Sequence, residues 1–128
     1  CKVDVRFAKS EGICRIDRDF QDIAARQYVN DTTTVVKPLI VFPAMERLSA
    51  SETLFARAEA IAETYRFPKM KAIAVGGGSD SANLTAVGIP TLCALGVKGE
   101  FNHTEREWAD EASLYERTKL LMAFLCEL

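Results

Sequence analysis

Apolar and polar residues alternate at the start of the chain, over residues 3–7. A period of two predicts a half-buried β-strand. The β-branched and apolar stretch at 32–42 predicts a second strand, in which Pro38 indicates an edge position or a bulge. Between the two, apolar residues at helical spacing predict a helix over 18–29 with Asp17 as its cap. The start of the chain is therefore expected to be a β-α-β segment.

Helical spacing of apolar residues resumes at Ser49, where the pattern Ser-x-x-Glu is typical of a capping box. Further along, the sequence predicts a strand at 71–75, a short helix at 80–87 and a buried strand at 89–95. A final helix is expected after Asp110. Its inner face is predicted to carry Leu114, Leu121, Met122, Leu125 and Leu128. This alternation predicts an α/β fold with helices against a partly parallel sheet.

A change of pattern near residues 43–48 predicts two parts. Residues 1–43 are expected to form a small α+β part, and residues 44–128 the larger α/β part. The first residue is Cys rather than Met, and a strand pattern begins at once. We therefore expect the chain to be a piece of a longer protein.

Composition and charge argue against several classes of protein. The 128 residues are 48% apolar and 27% charged, with a net charge of -2, which is typical of a folded domain without a basic face for nucleic acid. No apolar stretch approaches the roughly 20 residues that cross a bilayer, and no signal-peptide pattern opens the chain. The cysteines are too far apart for a zinc finger or a redox pair. We expect a cytoplasmic protein with reduced thiols, those of Cys93 and Cys126 mostly buried, and neither nucleic acid nor a membrane as partner.

The glycine loop, residues 76–81, reads Gly-Gly-Gly-Ser-Asp-Ser and lies between a predicted strand and a predicted helix. Three glycines remove every Cβ, so a ligand or a neighbouring main chain can come close. The free N–H groups of a following helix favour an anion such as a carboxylate or a phosphate. No Lys follows the loop, which argues against a nucleotide-binding P-loop. The alternative is a tight turn with Asp80 or Ser81 as helix cap.

His103 is the single histidine of the chain and follows the predicted buried strand at 89–95. The carboxyl ends of strands are where α/β proteins gather their sites, so His103 and the glycine loop are expected to face one cleft. A neutral imidazole suits zinc, but a zinc site needs three or four ligands. Glu105 and Glu107 are interpreted as a solvated or cap-proximal acidic cluster. The alternative for His103 is an ordinary surface residue.

Arg6 lies on the polar face of the first predicted strand. A solvated strand face is one interpretation of this position. The other is an arginine directed at a substrate carboxylate, because its planar guanidinium matches that group.

Several segments, taken in order, resemble a known family. They are Asp4-Val5-Arg6-Phe7, Phe42-Pro43-Ala44-Met45-Glu46, Gly-Gly-Gly-Ser-Asp at 76–80, Gly88-Ile89-Pro90, Leu95-Gly96 with Gly99, and His103-Thr104-x-x-Glu107. Together they resemble the C-terminal part of the M20 family of zinc aminopeptidases, carboxypeptidases and deacylases. Glutamate carboxypeptidase, acetylornithine deacetylase, succinyl-diaminopimelate desuccinylase and aminoacylase are members.

The resemblance implies an α/β catalytic domain with two zinc ions, or other divalent metal ions in their place, and an inserted α+β lid that also dimerises. Residues 1–43 are similar to the second half of the lid, and residues 44–128 to the last segment of the catalytic domain. A homodimer or a self-associating fragment is implied. The general base and the other zinc ligands would lie upstream, so no catalytic residue is expected in this chain and the chain alone is expected to be inactive.

The resemblance also implies roles for individual residues. His103 matches the last zinc ligand, and Arg6 matches a lid arginine that faces the cleft. The loop that lines the site near the substrate carboxylate matches Gly76, Gly77, Gly78, Ser79 and Asp80. The implied substrate is a dipeptide or an N-acyl amino acid, cut at an amide next to a free carboxylate. Phe42 replaces an arginine of many relatives, which permits a more apolar substrate side chain than glutamate.

A non-enzymatic interpretation of the sequence remains open. In it, the chain is an anion-binding or dimerisation module without metal, the glycine loop is only a turn, and His103 is incidental.

Overall fold

The structure is a computed structural model that describes residues 1–127. Within these residues the chain forms four helices and one two-stranded antiparallel sheet. In chain order the elements are α1 (Gly12–Ala24), α2 (Ser49–Thr64), α3 (Ser81–Ala86), β1 (Gly99–Glu100), β2 (Trp108–Ala109) and α4 (Glu111–Glu127). No helix among the described residues is long and apolar enough to cross a membrane.

The packing of α2 against α4 forms the main hydrophobic core. The core comprises Ala58, Ile61, Ala62, Met70, Leu120 and Phe124. The small residues of α2 allow α4 to come close, and the larger side chains of α4 fill the space between the helices. The predicted helix from Ser49 is confirmed, although Leu48 and not Ser49 precedes its first turn.

Helix α4 begins after Asp110, as predicted, and the Asp110 carboxylate accepts a hydrogen bond from the N–H of Ala112 at 3.1 Å. Its predicted inner face is wrong. The buried residues are Ser113, Leu120 and Phe124, whereas Leu114, Leu121, Met122 and Leu125 are exposed; Leu128 lies outside the described residues. Leucines occur on more than one side of this helix, so the sequence alone does not show which side meets α2.

Helix α1 is shifted from the prediction by about one and a half turns toward the start of the chain. Asp17, the predicted cap, lies inside the helix, which ends at Ala24. Ile13 and Ile16 lie at helical spacing from Phe20 and extend the apolar pattern upstream of Asp17, which explains the earlier start. None of the residues of α1 is buried.

Four strand predictions are wrong in the described part of the chain, since no strand forms at 3–7, 32–42, 71–75 or 89–95. Many of their apolar side chains are exposed; Ile40, for example, is 78% exposed. An apolar, β-branched segment is suited to a sheet, but it becomes a strand only when a neighbouring strand provides hydrogen bonds. The mixed helix and sheet content agrees with an α/β class, whereas the predicted partly parallel sheet is absent from residues 1–127.

The chain divides into two compact units, each built from two segments. Unit 1 comprises Cys1–Arg47 and Gly76–Ile89, and unit 2 comprises Leu48–Val75 and Pro90–Leu128. The predicted domain boundary between residues 43 and 44 stays a prediction.

The four cysteines are free thiols in the structure. The predicted burial of Cys93 and Cys126 is wrong, because both are exposed, as are Cys1 and Cys14. Cys93 belongs to the apolar segment at 89–95, which lies outside regular secondary structure, and Cys126 lies in the last turn of α4.

Candidate functional site

His103 lies in the loop of a short β-hairpin of unit 2. Strands β1 and β2 pair Gly99 with Ala109 and Glu100 with Trp108. A Cβ on Gly99 would overlap the carbonyl oxygen of Trp108. Only glycine fits at this position without a shift of the main chain, so the identity of Gly99 allows the two strands to pair.

The loop between the strands is held by its own hydrogen bonds. The N–H of Thr104 donates to the carbonyl of Phe101 at 3.1 Å, and the N–H of Glu107 donates to the carbonyl of Thr104 at 3.1 Å. The Thr104 hydroxyl donates to Phe101 O at 2.7 Å and accepts from the N–H of Arg106 at 3.2 Å. The Arg106 guanidinium lies 4.7 Å from the centre of the Phe101 ring, a cation–π distance. These contacts give the loop a defined shape.

The main chain at His103 adopts a left-handed conformation with φ at 65°. For a residue with a Cβ this conformation costs on the order of 1–2 kcal/mol. The N–H of His103 donates to Oε2 of Glu107 at 3.1 Å. The Glu107 carboxylate, four residues further along the chain, therefore satisfies the hydrogen-bonding capacity of the His103 N–H. His103 is exposed.

The base of the hairpin is attached to helix α4. The N–H of Asp110 donates to the carbonyl of Lys98 at 2.8 Å, and the N–H of Lys98 donates to the Ser113 hydroxyl at 2.8 Å. Ser113 is 1% exposed, and the Lys98 ammonium pairs with Glu116 at 3.0 Å. The loop that carries His103 is thus anchored to a helix that forms the core of unit 2.

The donor atoms near His103 do not form a complete metal site. Among residues 1–127 there is no group of three or more His, Cys, Asp or Glu side chains that could hold a metal ion. An exposed imidazole is suited to be one zinc ligand, and zinc sites need three or four. The role of His103 as a zinc ligand stays a prediction.

Arg6 and the glycine loop contact each other within unit 1. One guanidinium nitrogen, Nη1, donates to the carbonyl of Gly76, and Nη2 pairs with the Asp4 carboxylate at 2.8 Å. A Cβ on Gly76 would lie 3.3 Å from Nη1 of Arg6, so the absence of a side chain permits this approach. Two of the residues predicted to bind substrate are thus neighbours in space.

Phe42 lies on the other side of the glycine loop. A Cβ on Gly78 would be 3.6 Å from its ring, whereas one on Gly77 would meet nothing within 4 Å. None of these three glycines has a positive φ. The glycines at 76 and 78 therefore serve close approach of neighbouring side chains, not an unusual turn.

The loop continues into α3 through a turn built by Ser79. Its hydroxyl accepts from the N–H of Ser81 at 3.2 Å, and its carbonyl accepts from the N–H of Ala82 at 2.9 Å. Asp80 occupies the cap position, but its side chain makes no cap hydrogen bond and is exposed. The predicted cap at Asp80 or Ser81 is therefore wrong, because Ser79 provides the side-chain hydrogen bond of this turn. A role of the loop in binding a ligand stays a prediction.

Two features of the site were missed in the sequence. Glu107, interpreted from the sequence as part of a solvated or cap-proximal acidic cluster, accepts a hydrogen bond from the main chain of His103. The spacing His103-Thr104-x-x-Glu107 is the sequence signal that could have revealed this contact. Ser10 and Glu46 join the start of α1 to the segment after Phe42: the N–H of Ser10 donates to Glu46 at 2.9 Å. They lie 36 residues apart, and no local pattern indicates the pairing.

The glycine loop belongs to unit 1 and His103 to unit 2. A cleft shared by the two stays a prediction.

Comparison with known proteins identifies the family of the chain. The model of peptidase family M20/M25/M40 matches residues 31–127, a span that includes the glycine loop and His103. No curated protein and no solved structure matches the chain. The predicted family is confirmed, and the choice among its members stays a prediction. Because the match spans most of its length, the chain belongs to peptidase family M20/M25/M40, a family of hydrolases.

Proposed function

We propose that the chain is the C-terminal part of a zinc-dependent peptidase or amidohydrolase that cuts an amide bond next to a free carboxylate. The family match over residues 31–127 is the observation that carries this proposal. It does not favour the alternative of a non-enzymatic module. The substrate class is a dipeptide or an N-acyl amino acid, and a cytoplasmic location is part of the same proposal.

His103 would be one ligand of a site with two zinc ions. Its exposed imidazole and the ordered loop around it support this role. Bound zinc would polarise the scissile carbonyl and would lower the pKa of a water molecule, so that the water can lose a proton and attack that carbonyl. The imidazole would bind the metal as a neutral nitrogen donor, with no part in proton transfer.

Arg6 would bind the carboxylate of the substrate. Its guanidinium already holds a carboxylate, that of Asp4, and the side chain is 63% exposed. A substrate carboxylate would replace Asp4 at Nη2 while Nη1 keeps its hydrogen bond to Gly76. Because the hydrogen bond from Nη1 to Gly76 holds the planar guanidinium, Nη2 is presented in one direction. This favours a single orientation of the substrate carboxylate.

The side chain of the substrate would be apolar. The Phe42 ring borders the glycine loop at Gly78 and is 43% exposed. An exposed ring beside a loop without side chains offers an apolar contact surface, whereas the arginine of many relatives would offer a charge.

The proposal is tested by the change His103→Ala in the complete protein. We expect hydrolysis of dipeptides and N-acyl amino acids to be lost and the zinc content to fall, because one ligand of the metal is removed. Glu105→Ala is the matched control: it removes an exposed side chain two positions away and should keep both properties. Full activity and full zinc content in His103→Ala would contradict the proposal.

The 128-residue chain by itself should not catalyse hydrolysis. One histidine cannot form a tetrahedral zinc site, and residues 1–127 contain no cluster of further ligands. Measured turnover of an N-acyl amino acid by the purified chain, abolished by a chelator, would show that this part of the proposal is wrong.

A further inference from the structure

We infer that Glu107 is a positioning residue that fixes the direction in which His103 is presented to a metal ion. The inference rests on the proposed function, in which His103 is a zinc ligand. The carboxylate oxygen of Glu107 that accepts from the main chain of His103 would contact neither the metal nor the substrate.

The hydrogen bond to Glu107 comes from the main chain of His103, which has an uncommon conformation. His103 has a left-handed main chain with φ at 65°, and its N–H donates to Oε2 of Glu107 at 3.1 Å. A carboxylate is a stronger acceptor for an N–H group than a neutral oxygen is. Loss of this acceptor would free the main chain of His103 to return to a more common conformation, which would turn the Cα–Cβ bond and the imidazole with it.

The rest of the loop explains why a single bond has this effect. The Thr104 hydroxyl connects the two ends of the turn, because it donates to the carbonyl of Phe101 and accepts from the N–H of Arg106. The paired strands hold Gly99 against Ala109. These bonds determine the path of the loop but do not involve the N–H of His103. Glu107 alone among the described residues accepts from that group.

The matched variants are Glu107→Ala, Glu107→Gln and Glu105→Ala. Alanine at 107 removes the acceptor. Glutamine keeps an oxygen at the same reach, so it should preserve most of the hydrogen bond. Alanine at 105 removes a second glutamate side chain from the same loop. Glu105 makes no hydrogen bond with any of residues 1–127.

The first measurement is the amide signal of His103 in nuclear magnetic resonance spectra of the metal-free chain. In Glu107→Ala we expect this signal to move upfield and its exchange with solvent to become faster. In Glu107→Gln and Glu105→Ala both properties should stay close to those of the unchanged chain. An unaltered His103 amide in Glu107→Ala would overturn the inference, whatever the function of the protein.

The second measurement is the rate at which a chelator removes zinc from the complete enzyme. Glu107→Ala should release zinc about tenfold faster, at the lower end of what the loss of a residue that orients a ligand costs. Glu107→Gln should release zinc at nearly the original rate. Equal acceleration by both variants, or by neither, would overturn the positioning role.

The two measurements separate this inference from the proposed function. If His103→Ala retains zinc and activity, the function itself is wrong. If His103→Ala loses both but Glu107→Ala leaves zinc release unchanged, His103 is a ligand and Glu107 does not position it.

Discussion

The guanidinium of Arg6 donates to the carbonyl of Gly76, although the two residues lie 70 positions apart in the chain. This contact joins the start of the chain to the glycine loop within unit 1. We predict that Arg6→Ala moves the amide signals of residues 76–78, since Gly76 loses its neighbour. Stability should change little, by about 0–1 kcal/mol, because the group is exposed.

Lys2→Ala is the control for Arg6. It removes a positive charge from the same exposed segment. If both variants move the signals of the glycine loop equally, the effect comes from charge in general and not from the contact with Gly76.

Gly99 should tolerate no side chain. A Cβ there would overlap the carbonyl of Trp108, so Gly99→Ala should separate β1 from β2 at a cost of about 1–3 kcal/mol, the usual range for overpacking. Amide exchange over residues 98–110 measures this loss. In Gly96→Ala the added Cβ meets nothing within 4 Å, and the same amides should keep their protection; equal loss in both variants would contradict the prediction.

Leu120 should carry much of the stability of unit 2. It is 1% exposed and belongs to the core between α2 and α4. Leu120→Ala should lower the free energy of unfolding by about 2–5 kcal/mol, because the change leaves a cavity. Leu125→Ala, in the same helix but 79% exposed, should cost no more than about 0.5 kcal/mol. Urea unfolding of the two variants measures the difference, and equal losses would show that α4 buries another face.

Tyr65 should bind its proton more tightly in the folded chain. Its hydroxyl donates to Glu127 at 2.8 Å, and this hydrogen bond, with the negative charge of Glu127, raises the pKa of Tyr65 above its ordinary value. The resulting stability is fully present below the ordinary tyrosine pKa and is lost as the pH rises through the higher folded value. Ultraviolet titration of tyrosinate should show the pKa of Tyr65 falling in Glu127→Gln; an unchanged titration would contradict the assignment.

The apolar segment around Leu39 and Ile40 should cause self-association, as the sequence-based expectation of a homodimer or a self-associating fragment requires. These side chains are 76% and 78% exposed, and exposed apolar segments without a strand partner tend to pair with another chain. Light scattering of Leu39→Lys with Ile40→Lys should give a lower apparent mass than the unchanged chain. Thr33→Lys with Thr34→Lys adds the same charge nearby and should not lower it.

The helices could be predicted from the sequence more reliably than the strands. Helix α2, α3 and the start of α4 follow from hydrogen bonds within each segment and from local caps such as Asp110. A strand depends on a neighbouring strand elsewhere in the chain, and the segment at 89–95 lies outside regular secondary structure. The same distinction holds for the site. The family motif predicts His103 and the glycine loop as site residues, whereas the contact between Arg6 and Gly76 depends on tertiary structure that no local pattern contains.

The exposed thiols make the chain suitable for distance measurements by dye labelling. Cys1 and Cys14 belong to unit 1, and Cys93 and Cys126 belong to unit 2. Replacing one cysteine of each unit by serine would leave a single attachment point for a fluorophore in each. Energy transfer between the two dyes would then report the separation of the glycine-loop unit from the histidine unit, with and without zinc or a substrate analogue.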